Sequence, residues 1–137
     1  MARKQTVYPQ PEEYKRIFDL LNDYLKEESP HLDPNFQCSD LPQKLITNEC
    51  YLSAAVMRST GFTLQEYLLR LRIRHALGEL TIPGDTRTVE QIAFASGFAN
   101  KRTFRRNFVR FVHQTPAEFR EAFRQKKGTD DTYTADR

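Results

Sequence analysis

Four cations crowd one short stretch of this chain: Lys101, Arg102, Arg105 and Arg106. Such groups stay charged at neutral pH and do no acid–base work. Their chemistry is to hold phosphates and, as bidentate donors, the O6/N7 edge of guanine. Asn100, just before them, is a helix-capping residue type. At about 100° per residue, Phe104, Phe108 and Phe111 gather on one side of the helix it opens. Arg102, Arg105 and Arg106 fall on the other side, with Lys101 at its edge. Cations near a helix N-terminus are opposed by the helix dipole. A polyanion offsets that cost, and the major groove of B-DNA has the width to admit a helix. The competing readings are a merely solvated charged face and a basic surface that docks an acidic protein.

The element before this helix must aim it. Ile92 and Ala93 close a short apolar-faced helix and Gly97 supplies a tight turn, so residues 92–108 read as helix, turn, helix. Upstream, Tyr14, Ile17, Phe18, Leu21 and Leu25 follow the helical repeat from Pro11 to about Glu28, where Pro30 stops it. Ser39 is expected to cap a short helix carrying Leu41 and Leu45, with Pro42 tolerated in its first turn. Asn48 caps the next helix, which turns Tyr51, Leu52, Ala55 and Val56 inward and ends at Gly61. Thr63 and Glu66 form a capping box for a long helix to about Leu80, with apolar members Leu64, Tyr67, Leu68, Leu71, Ala76, Leu77 and Leu80.

Residues 81–86 carry the proline–glycine signal of a loop, and a helix follows from about Val89. Thr115, with Pro116 at the first helical position and Glu118 three residues on, opens a last helix carrying Phe119 and Phe123. The apolar spacing is helical almost throughout, which predicts an all-α fold of about seven helices. The expected organisation is a linker or disordered start over 1–10, a first helix-turn-helix unit over 11–62 and a linking helix over 63–80. A second unit then covers 81–127, and a polar, fraying tail covers 128–137.

A chain of 137 residues fits one domain with a real core, and its mean hydropathy of −0.69 is that of a water-loving protein. No apolar run has the length of a membrane span, and the first residues lack the apolar stretch of a signal peptide, so the expected setting is the cytoplasm. Cys38 and Cys50 have no metal-ligand spacing with His31, His75 and His113. No nucleophile–base set, phosphate loop or paired carboxylate stands out, so neither an enzyme nor a cofactor is expected. The net charge is only +3, but residues 11–28 hold three basic against six acidic side chains, whereas 101–127 hold nine against two. The basic charge is concentrated at one end, which is the distribution of a nucleic-acid binder.

Two helix-turn-helix units joined by a long helix make residues 14–124 resemble the DNA-binding domain of AraC/XylS-family transcription regulators. The resemblance is carried by Ile92, Ala93, Gly97, Phe98, Phe104, Phe108 and Thr115 to Arg120 in the second half. In the first half Tyr51, Leu52, Gly61, Tyr67, Leu71, Arg72, Ala76 and Leu80 carry it. It implies two recognition helices in successive major grooves of double-stranded DNA, with the linking helix setting their spacing. It also implies core roles for Tyr67, Leu71, Ala76, Phe98, Phe104 and Phe108, and RNA polymerase as a second partner.

In the second unit the DNA-contacting set is Asn100, Lys101, Arg102, Arg105 and Arg106. In the first it is the weaker set Asn48, Glu49, Cys50, Ser53, Ala54 and Arg58, with Met57 at a matching position. These side chains are mostly small, soft or acidic, so that unit is expected to position rather than discriminate. Val109 and His113 stand where the family often has Lys and Gly, and Pro42 replaces a usual small residue. The family usually adds a sensor or oligomerisation domain. Its absence here makes the chain either a short member or the C-terminal part of a longer regulator, with the acidic first helix and polar start suiting a linker from such a domain.

Overall fold

A computed structural model describes the backbone of residues 9–135 and the side chains of residues 9–126. Seven α-helices account for most of the described residues, and no strand occurs among them. They are α1 (Pro11–Glu28), α2 (Leu41–Lys44), α3 (Glu49–Thr60), α4 (Leu64–Leu80), α5 (Val89–Ala95), α6 (Lys101–Val112) and α7 (Pro116–Ala135). Two compact units share them. The first holds the described residues up to Pro30 together with Gln37–Leu68, and the second holds His31–Phe36 and the described residues from Leu69 on. The division falls inside α4, so the expected linking helix contributes to both units. The loop at His31–Phe36, expected with the first unit, belongs to the second, where Arg72 Nε donates to the His31 carbonyl at 2.7 Å.

In the first unit, α1 starts with a proline in its first turn, where no amide partner is lost, and Glu12 and Glu13 stand in the turn that favours negative charge. Its buried stripe is Tyr14, Leu21 and Leu25, while Ile17 and Phe18 are only partly covered. It packs on α3 through Leu52, Ala55 and Val56, all with no exposed surface. Asn48 Oδ1 accepts the Tyr51 amide at 2.8 Å, and Gly61 ends α3 at φ 78°. Ser39 does not cap α2. It lies in a 3-10 turn, Cys38–Asp40, that runs directly into α2, so the Leu41 amide is served by the Cys38 carbonyl and needs no side-chain acceptor. Pro42 sits in the first turn of α2. Tyr67 is not fully buried: its ring meets Phe18 at 5.5 Å between centroids and its hydroxyl donates to Asn22 Oδ1.

The second unit closes on Ile73, Ala76, Leu80, Ile92, Ala93, Phe98, Phe104 and Phe108. A run of rings crosses it: Phe98 to Phe104 at 4.9 Å, Phe104 to Phe108 at 5.5 Å, and Phe108 edge-on to Phe119 at 5.8 Å. Ile73 occupies the buried position, while Leu71, expected in the core, is partly exposed. Gly97 turns at φ 94°, and a Cβ there would overlap the His31 carbonyl oxygen and crowd the Arg72 side chain. Glycine is therefore required twice, for its conformation and for the close approach. Reciprocal capping boxes start α5 (Thr88 with Gln91) and α7 (Thr115 with Glu118). The sequence reading missed the first of these. α7 continues to Ala135, past the expected end near Lys127. A lone Gly128 lowers helix propensity without stopping a helix, and no proline follows. Of the expected disordered start, residues 1–8 lie outside the described residues, as do 136–137 of the tail.

Candidate nucleic-acid interface

Residue type fixes the start of α6. Asn100, in extended backbone, turns its Oδ1 onto the Arg102 amide at 2.7 Å and the Thr103 amide at 3.2 Å. From that anchored first turn the helix presents two faces. Phe104 and Phe108 are wholly buried and Phe111 is half-buried, while Lys101, Arg102, Arg105 and Arg106 are exposed. These four side chains and Val109 line one shallow concavity. Among the described residues none of the four cations is held by a hydrogen bond or ion pair. Arg105 acts only at a distance, as the last of several influences that lower the Glu118 carboxyl, the largest being the Thr115 amide it accepts. The sequence-predicted set of the second unit is thus brought together on one side of one helix, with Asn100 at its start.

Other basic residues of the same end have structural work. Arg120 is buried at 7% exposure, and its guanidinium donates to the carbonyls of Arg87 and Asp85, the latter at 2.8 Å. Arg124 donates to the same Asp85 carbonyl at 3.0 Å. Burial lowers the Arg120 pKa, yet guanidinium remains charged because its starting value is so high. Arg87 in turn grips both oxygens of Asp85 and reaches Glu79 at 2.5 Å. Those hydrogen bonds hold the Asp85 carboxyl down at about 2. The guanidinium groups of Arg70 and Arg110 lie 4.8 and 4.5 Å from the centre of the Phe111 ring. The sequence reading counted Arg110, Arg120 and Arg124 with the basic footprint, and the Asp85 and Arg87 carbonyls that Arg120 and Arg124 meet lie more than thirty residues away, where no local signal announces them.

In the first unit Glu49, Cys50 and Ser53 are exposed, Ala54 is half-buried, and Met57 is 46% exposed. Asn48 commits its side-chain oxygen to the cap of α3. Glu49 and Ser53 line a hollow with Cys38, Ser39, Pro42 and Thr63–Gln65. Arg58 does not join them, because its guanidinium sits 4.4 Å above the Tyr14 ring on α1. Ile46, 94% exposed at φ 53°, is a further feature that the sequence reading did not single out. His113 ends α6 in left-handed backbone at φ 65°, the conformation for which a glycine is the usual choice. Among the described residues no cluster of three or more metal-ligand side chains occurs, and no helix is long and apolar enough to cross a membrane.

Two successive helix-turn-helix units, the second with an unpaired cationic face, define the class as a helix-turn-helix DNA-binding module. The sequence pattern of the AraC-type helix-turn-helix domain matches residues 43–122, more than half of the chain, and the chain belongs to that family. An uncharacterized HTH-type transcriptional regulator of Staphylococcus aureus is 34% identical over 90 residues, which are 66% of this chain and 12% of the relative. The uncharacterized transcriptional regulatory protein YesN of Bacillus subtilis is 31% identical over 93 residues, 67% of this chain and 24% of its own length. The chain therefore spans only a small part of these relatives. Among solved structures, the C-terminal domain of the two-component response regulator yesN from Fusobacterium nucleatum superposes with a TM-score of 0.66 at 27% identity, covering 77% of this chain and 98% of that one. A DNA-binding transcriptional dual regulator of Escherichia coli K-12 shares the fold at 18% identity, with a TM-score of 0.63 over 88% of this chain and 99% of its own.

Proposed function

We propose that this domain binds double-stranded DNA sequence-specifically and serves a transcription regulator, with α6 as the principal reading helix in one major groove. The observation that carries the reading is the free cationic face formed by Lys101, Arg102, Arg105 and Arg106, backed by the wholly buried Phe104 and Phe108. A helix so anchored fixes the backbone positions from which its arginines project, and a guanidinium is the planar fork that bidentate base contacts require. In this reading α3 enters the next major groove and contributes mainly positioning, since Asn48, Glu49, Cys50, Ser53 and Ala54 include no bidentate donor set for guanine. Arg58 contributes through phosphate if it leaves Tyr14. α4 sets the spacing of the two helices.

The site of action is the cytoplasm. RNA polymerase is its further partner, and it works with a sensor or oligomerisation domain, a reading for which the greater length of the relatives leaves room. The test is a duplex-binding titration against salt. Affinity for duplex DNA should fall steeply as salt rises, each neutralised phosphate contributing about −0.9 to the slope of log K on log salt. A binder of acidic proteins would hold an acidic peptide at least as tightly as duplex DNA and show no selected consensus, which would overturn the proposal.

A further inference from the structure

Val109 is the odd member of the cationic face. On a helix turning about 100° per residue it lies within about 60° of Arg102, Arg105 and Arg106, and so near the middle of the exposed side. It is 38% exposed and shares the concavity of those arginines. The core does not need it, because the opposite side of α6 supplies Phe104 and Phe108. Its side chain makes no phosphate contact, since it has neither charge nor donor. What remains is a shallow concavity shared by Val109 and the cationic side chains, whose charged ends draw it against DNA.

We infer that Val109 reads the 5-methyl group of a thymine in the major groove. This rests on the DNA-binding reading above. The thymine methyl is the apolar handle that base edges offer in that groove, and apolar side chains are its natural partners. A β-branched side chain in a helix is held to essentially one rotamer, so the two methyls of Val109 are fixed in direction and lose little freedom on contact. Spacing adds a constraint. Arg105 and Arg106 precede Val109 by one helical turn, a rise of about 4.5–6 Å, or one to two steps of about 3.4 Å along DNA. The thymine read by Val109 therefore lies one or two base pairs from a guanine read by Arg105 or Arg106.

The experiment uses the whole chain and the duplex selected by it. Each thymine in the strong half-site is replaced in turn by deoxyuridine, which removes the methyl and nothing else. Kd is then measured at fixed salt for the wild type and Val109→Ala. The wild type should lose about threefold to fivefold at one thymine, the worth of one buried methyl. Val109→Ala should bind the thymine and deoxyuridine duplexes equally well, with an unchanged Tm because the residue is outside the core. A cytosine at that position should be restored in part by 5-methylcytosine for the wild type alone. If no thymine responds, or if Val109→Ala keeps the same response, the assignment of Val109 is wrong while the DNA-binding reading stands. If the wild type selects no duplex at all, both fall.

Discussion

Asn100 Oδ1 accepts the backbone amide of Arg102 at 2.7 Å, so the residue that opens α6 also fixes where the backbone of its first arginine stands. The same oxygen takes the Thr103 amide at 3.2 Å, and both amides would otherwise be orphans of the first turn. This commits the acceptor of Asn100 to the helix rather than to a base.

Asn100→Ala should cost about 1 kcal/mol of stability, the usual worth of an N-cap, and should weaken duplex binding by letting the first turn of α6 fray. Asn100→Ser should restore both, because serine caps as well as asparagine does. Thermal unfolding and Kd on the selected duplex check this together. A Ser variant with wild-type Tm but poor binding would instead give Asn100 a direct DNA contact.

Arg120 should matter to stability and not to base reading. Its guanidinium serves two carbonyls, those of Asp85 and Arg87, on the loop before α5. Arg120→Ala takes this donor from the Arg87 carbonyl and leaves the Asp85 carbonyl to Arg124 alone, and should cost about 1–3 kcal/mol, seen as a lower midpoint in urea. Arg120→Lys should recover little, since one ammonium lacks the forked geometry. A selected DNA consensus altered by Arg120→Lys in the folded protein would contradict this role.

His31 should make the second unit acid-sensitive. Burial first, then the charges of Arg72 and His75, lower its pKa from 6.5 to about 4. Its Nδ1 has no hydrogen-bond partner among the described residues, so a proton there would go unmatched. The folded state thus holds the neutral ring while the unfolded chain takes up a proton below pH 6.5. Stability should fall as pH drops from about 6.5 to 4 and show no further loss from this residue below that. Asp85, with a folded pKa of about 2, contributes stability that is lost only at lower pH, between its ordinary 3.8 and 2. In Tm measured from pH 7 to 4, His31→Gln should flatten the slope. A slope as steep as that of the wild type would assign the sensitivity elsewhere.

What the sequence made legible is what is local. Asn48, Asn100 and Thr115 announce helix starts because a cap is made within three residues, and the two faces of α6 follow from period alone. Ser39 misled because a preceding 3-10 turn supplies the acceptor that a cap would have provided. Arg58 over Tyr14, Arg120 on Asp85 and Gly97 against His31 are contacts between residues distant in sequence, and no short pattern encodes them. The candidate site was therefore readable as a set of cations on one face. Which basic residues of that end are engaged within the fold was not.

The most direct test of base reading by α6 is in-vitro selection from a random duplex pool with the wild type, Arg102→Ala and Arg105→Ala. The wild type should yield a lopsided consensus, strong over the half-site met by Lys101, Arg102, Arg105 and Arg106 and weak one helical turn away. Each alanine variant should lose discrimination at its own base position by about 1–3 kcal/mol while the weak half-site stays as it was. Two half-sites of equal information, or a consensus that neither substitution alters, would contradict the account and shift base reading to the small side chains of α3.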